Sequence, residues 1–187
     1  MKLSLLFSVF MGMLSIITGV CIAKGLQTGF GGIHWSASLE QIGNCENIDS
    51  KGGIQYCIRS DQPHTLLGEP VPHVLYGFYQ NAFFAVFIRI ENDEAYAQTK
   101  SRMLDLLGTP ETSLDKEGVV STLRWKEGQV QIELFNDRSN QGFRLVYKYL
   151  PIVKKALSRH KTLVPSKWPA IKWKHSDETE PIGILQF

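Results

Sequence analysis

The sequence predicts an α+β fold: an antiparallel sheet of about six strands built from two helix–meander units, with the helices packed on one face. Three observations carry that reading. Val130, Ile132 and Leu134 alternate with Gln129, Gln131 and Glu133, the period of two that gives a strand one buried and one wet face. Between Asn92 and Gly108, by contrast, Tyr96, Met103, Leu106 and Leu107 fall on one helical stripe. The order of a helix followed by three strands also occurs twice, the first time with a shorter helix and longer loops.

Each element has a local reason. Lys2 is the only charge before Lys24, and residues 3–23 form an uncharged, mostly apolar run. A basic start, an apolar stretch and small residues at Cys21 and Ala23 read as an export signal, cut before Lys24. The run is also long enough for an uncleaved membrane anchor, and a buried core helix is the third reading. Cys21 raises lipid attachment, but Val20 stands where a lipobox wants Gly, Ala or Ser. The body then spans 24–150 and a basic tail 151–187. Phe30 to Trp35 reads as a short strand, and Ser38-Leu-Glu-Gln41 has the capping-box pattern of a helix over about 37–43. Residues 44–53 read as a loop, Ile54–Ile58 as a strand, and the proline-bearing stretch 59–72 as irregular. Strands over 73–79 and 83–90 join through a tight turn at Gln80-Asn81, the second so apolar that it belongs at the centre. Asn92 or Asp93 caps the long helix, and Gly108 with Pro110 stops it. Strands follow over 119–125, 129–135 and 142–150; Pro151 ends the sheet, and 152–160 predicts a basic helix. Residues 161–187 hold three prolines and two tryptophans and read as extended, with Gly183–Phe187 able to pair as an edge strand.

Composition excludes several classes. At 43% hydrophobic, 11% aromatic and 20% charged, the chain is neither disordered nor a polytopic membrane protein. Arg124, Arg144 and Lys148 sit on strands where lipid would be faced, which argues against a membrane barrel. Cys45 and Cys57 form an even pair in an exported chain and predict one disulfide. Zinc, with His64 and His73 added, is the alternative; eleven residues between the cysteines do not match the usual spacing, and no metal or cofactor is expected. Charge is split: residues 24–137 carry 9 Lys/Arg against 15 Asp/Glu, whereas 138–175 carry 10 Lys/Arg and no acid. Such asymmetry favours an anionic partner, whether lipid head group, lipopolysaccharide, glycan or acidic protein face; an extracytoplasmic address argues against nucleic acid. The bland alternative is a solvated basic helix that offsets an acidic body.

Gly32-Ile-His-Trp35 opening a helix–meander repeat, a helix ending in Leu106-Leu-Gly-Thr-Pro110, and a strand ending in Trp125 together resemble small bacterial periplasmic and lipoprotein domains. More distantly, residues 28–150 are similar to the β-lactamase-inhibitor-protein-like fold and to the small lipoprotein of the outer-membrane assembly machine. That resemblance implies a non-enzymatic binding or assembly domain, and no catalytic residues come with it.

No nucleophile elbow, zinc-protease helix motif, phosphate loop or dinucleotide fingerprint occurs, and His34, His64, His73, His160 and His175 do not cluster in sequence. Two function classes follow, with an enzyme whose pocket brings His34, His64 or His73 near a carboxylate as a remote third. One is an exported module that binds another envelope protein through a wet sheet face or the tail. The other is a binder of an anionic polymer or membrane surface through Arg159, Lys161, Lys167, Trp168, Lys172, Trp173 and Lys174, whose mix of indole and ammonium suits a head-group interface or glycan. The plainer reading of the two tryptophans is burial against the body. The aromatic strand residues Tyr76, Phe78, Tyr79, Phe83, Phe84 and Phe87 read as core rather than pocket lining.

Overall fold

Turn chemistry sets the strand pairing. Gln80 and Asn81 both take positive φ, 49° and 64°, and close a two-residue hairpin between β7 (Val74–Tyr79) and β8 (Ala82–Ile90). The computed structural model describes residues 25–137, 142–166, 168–169 and 179–185 of the chain. The stretch 1–23, read as an export signal or anchor, lies outside the described residues.

After a small hairpin of β1 (Gly29–Phe30) and β2 (Ile33–His34), Ser38 starts α1 (Leu39–Ile42), its N–H donating to the Gln41 side chain at 2.8 Å. Strands β3 (Glu46–Lys51) and β4 (Ile54–Ile58) follow, then a hairpin of β5 (His64–Leu66) and β6 (Glu69–Pro70). Beyond β8 comes α2 (Asp93–Leu107), capped by the Asn92 side chain accepting from Ala95 N–H at 2.8 Å. It leads to β9 (Glu111–Leu114), β10 (Val120–Glu127), β11 (Val130–Asp137), β12 (Gly142–Tyr149) and α3 (Leu150–Leu157). A short β13 (Ile182–Gly183) ends the described chain.

The main sheet is antiparallel throughout and runs β3-β4-β7-β8-β12-β11-β10-β9. It therefore has eight strands, not about six. Both additions are outer edges: β3 occupies the stretch read as a loop, and β9 follows Pro110. Each is polar and largely exposed, so neither shows the alternation that marks a half-buried strand. The repeat is a helix plus a four-strand meander, α1-β3-β4-β7-β8 and α2-β9-β10-β11-β12, and the last strands of the two units pair at the centre. The β5–β6 hairpin sits in the stretch read as irregular and pairs in parallel with β13.

Register assigns each side chain a face. Val86, Tyr147, Ile132 and Trp125 lie in one row across β8, β12, β11 and β10, on what we term the front; Phe87, Val146, Glu133 and Arg124 form the next row, on the back. The front takes α2, whose Tyr96 stacks on Phe143 at 4.5 Å and whose Met103 is fully buried. It also takes the N-terminal hairpin, with Trp35 stacked on Phe83 at 4.9 Å. α3 and the chain behind it pack on the back instead: the Tyr56 hydroxyl donates to the Leu163 carbonyl at 2.6 Å, and His160 meets Tyr79 edge-on at 6.0 Å. α2, the helix of the second unit, thus lies on the front, whereas α3, which falls in the stretch read as the basic tail, lies on the back. The reason is connectivity: α3 leaves β12 at the sheet centre with Ile152, Val153 and Ala156 buried, and the front is already filled by the N-terminal hairpin and α2.

Candidate binding surface

The described residues cover only part of the back. The contacts of α3 and of residues 160–169 include β3, β4, β7, β8 and β12. Close packing there requires Gly77, where an added Cβ would stand 3.1 Å from ring atoms of both Phe84 and Phe87. The back of β9, β10 and β11 carries polar side chains, with Lys126 exposed and Arg124, Gln131 and Phe135 half-buried.

At the centre of this open half stands Glu133, only 3% exposed. Register places it directly beside Arg124 of β10. Its Oε1 accepts from Arg124 Nε at 3.1 Å and from Gln131 Nε2 at 2.8 Å, and its Oε2 accepts from the Lys148 ammonium. Burial pushes the Glu133 carboxyl upward, but Lys148 and Arg124 outweigh that and hold it below the ordinary carboxylate range. Beside the network, the Arg144 guanidinium lies 4.9 Å and the Lys148 ammonium 5.7 Å from the centre of the Phe135 ring. Arg89 is exposed on β8, directly opposite Arg144. The site is therefore a flat, cationic sheet surface with one saturated carboxylate and one aromatic ring.

The residues expected from the sequence divide into three groups. Cys45 and Cys57 are joined as a disulfide with Cα atoms 5.5 Å apart, tying the start of β3 to β4. Arg159 and Lys161 are exposed just after α3. Trp168 is half-buried with its ring edge-on to Phe87 at 6.5 Å, while Lys167, Lys172, Trp173 and Lys174 lie outside the described residues. Sequence reasoning singled out the tail cations and passed over the strand cations Arg89, Arg124, Lys126, Arg144 and Lys148 as a group. They were readable as wet-face residues one strand at a time, but their convergence needed the strand order.

The histidines occupy separate settings. His34 is exposed and bonds the Thr28 carbonyl at 3.3 Å, and His73 bonds the Pro169 carbonyl at 3.1 Å. His64 is 1% exposed and bonds the Tyr76 hydroxyl at 2.6 Å; burial, then the nearby Arg59 cation, pull its pKa down to about 4. Clefts of about 360 Å³ against Ile182–Ile184 and about 200 Å³ beside Arg124 and Lys126 are present; His34 borders the first. Among the described residues no three His, Cys, Asp or Glu side chains gather as a metal site, and no helix is long and apolar enough to cross a membrane. Comparison of the chain with protein families, curated proteins and solved structures finds no match.

Proposed function

We propose that this is an exported, non-enzymatic domain that assembles with another envelope protein through the open half of its main sheet. The single observation that carries the reading is that the described residues cover only half of the back: α3 stops at β12, and β9, β10 and β11 carry polar side chains beyond it. A rigid, hydrogen-bonded sheet face loses little conformational entropy on binding. The Cys45–Cys57 disulfide supports an oxidising, extracytoplasmic address, in keeping with residues 1–23 as an export leader. The paired helix–meander units support the resemblance to the β-lactamase-inhibitor-protein-like fold.

The test is site-specific photo-crosslinking of the full chain in its own cells. A photoreactive residue at Gln131 is expected to capture a protein, and one at Glu46 on the far edge strand is not. Equal capture at both positions, or none at Gln131, overturns the reading. Intact mass checks the address: the mature chain is expected to begin at Lys24, with both remaining cysteines unreactive until reduced.

Exposed Arg159 and Lys161 favour a second reading, a binder of an anionic polymer or membrane surface through the basic tail. Arg159→Glu with Lys161→Glu would then abolish salt-sensitive retention on phosphatidylglycerol vesicles. Charge reversal is the right perturbation because truncation after Leu150 would also strip Ile152, Val153, Ala156 and Leu163 from the core.

A further inference from the structure

We propose that the outer face of α3, with the turn that follows it, docks on the head groups of an anionic bilayer, Leu157 being the apolar contact among lysines. This rests on the second reading, the binder of an anionic surface, and moves its seat from the tail to α3.

Helical geometry divides α3 into two sides. Ile152, Val153 and Ala156 are buried against the sheet, while Lys154, Lys155 and Leu157 are exposed. At about 100° per residue, Lys154 stands opposite the buried stripe and Leu157 lies beside it on the outer surface. Arg159 and Lys161 continue that surface past the helix end, both exposed. Lys51 joins from the sheet: register sets it in the back row with Ile54 and Tyr79, and His160 packs against Tyr79 and Gly52. Among the described residues none of these five cations has an acidic partner. Asp49, two residues before Lys51 on β3, is half-buried and accepts from the Ser166 hydroxyl.

Leu157 decides between kinds of anionic surface. It is 49% exposed at the helix end, with the cations around it. A soluble polyanion has no apolar layer to receive it. A bilayer sets phosphates against the ammonium groups and acyl chains just beneath them, so lysine and leucine are both satisfied. An acidic protein face fits less well, because an ammonium group is strongly hydrated and lysine is depleted from protein interfaces. At head-group level it keeps its water. Trp168, which the sequence offered for the apolar contact, is half-buried with its ring edge-on to Phe87, so that contact passes to Leu157.

The experiment uses the chain as its own cells export it, in three forms: unchanged, Lys154→Glu with Lys155→Glu, and Leu157→Gln. The probes are phosphatidylcholine vesicles with and without phosphatidylglycerol, and dextran sulfate beads. All three altered side chains are exposed, and alkylation resistance of Cys45 and Cys57 verifies folding. The expected result is retention that phosphatidylglycerol raises and salt removes. It should fall at least about thirtyfold in the double reversal, since each lysine near an anionic surface is worth roughly fivefold. Leu157→Gln should lower it several-fold on vesicles and leave retention on dextran sulfate unchanged. Vesicle retention that persists in either variant, a Leu157→Gln loss equal on vesicle and bead, or retention on dextran sulfate alone overturns the α3 seat and leaves the anionic-surface reading standing. Retention raised by neither phosphatidylglycerol nor dextran sulfate overturns both.

Discussion

Mild acid is expected to destabilise this fold through one residue, His64. The imidazole, on the first residue of β5, is buried and bonded to the Tyr76 hydroxyl, with its pKa lowered from 6.5 to about 4 by burial first and by Arg59 second. A histidine whose folded pKa is depressed binds fewer protons folded than unfolded, so stability falls as pH drops below the unfolded value. The window therefore runs from about pH 6.5 down to about pH 4. At pH 5 the unfolded ring is almost fully protonated and the folded ring only about a tenth, and integrating the linkage from pH 7 to pH 5 gives a loss of about 2 kcal/mol. For a domain of this size that lowers Tm by about 4–8 °C. The pH 7 to pH 5 span of the assay stays above the ordinary carboxylate range, below which Lys148 and Arg124 hold Glu133. The assay is urea unfolding at half-unit pH steps on the oxidised protein, in the wild type and in His64→Gln. The Gln amide can still bond the Tyr76 hydroxyl but takes up no proton. It should be less stable at pH 7 and nearly flat between pH 7 and pH 5. A wild-type slope that survives in His64→Gln would refute the assignment, as would a wild type equally stable at both ends.

Two further outcomes follow from the packing. Reducing the Cys45–Cys57 disulfide, or replacing both cysteines with alanine, should cost about 3 kcal/mol on the chain-entropy account, measured by denaturant midpoint with and without reductant. Gly77→Ala should cost about 1–3 kcal/mol by denaturant midpoint, because its backbone φ suits any residue and the new methyl group meets two aromatic rings that are themselves fully buried.

Legibility in the sequence tracked burial. Strands β4, β7, β8, β10, β11 and β12 were readable because burial writes apolar runs into the chain, as in β8, or an alternation of two, as in β11. α2 was readable from its cap and stop signals, and Asn92 and Gly108 do flank it. β3 and β9 left no such mark. Glu46, Asn47, Ser50 and Lys51 read as loop residues because an edge strand takes its definition from backbone pairing, which composition does not record. The face on which α3 packs was not legible for a different reason. Local pattern says that α3 has an apolar side, with Ile152, Val153 and Ala156, but which sheet face receives it depends on where β12 sits in the strand order. The binding surface is a product of the same non-local information.

The charge split along the chain also changes meaning once it is folded. Residues 24–137 are acidic in sum, yet Arg89, Arg124 and Lys126 come from that part and stand beside Arg144 and Lys148 from the basic part. The net charge of a segment therefore says little about the face it builds. What decides the face is that strand alternation sends these cations to the back while apolar neighbours such as Ile88, Leu123, Leu145 and Tyr147 go to the front. Glu133 is the one described acid buried among them, bonded at once to Arg124, Gln131 and Lys148 across β10, β11 and β12. Removing its charge with Glu133→Gln leaves those two cations without their buried counter-charge and should therefore weaken the fold, read as a lower urea midpoint at pH 7. An unchanged midpoint would show that the network adds nothing to the pairing of these three strands.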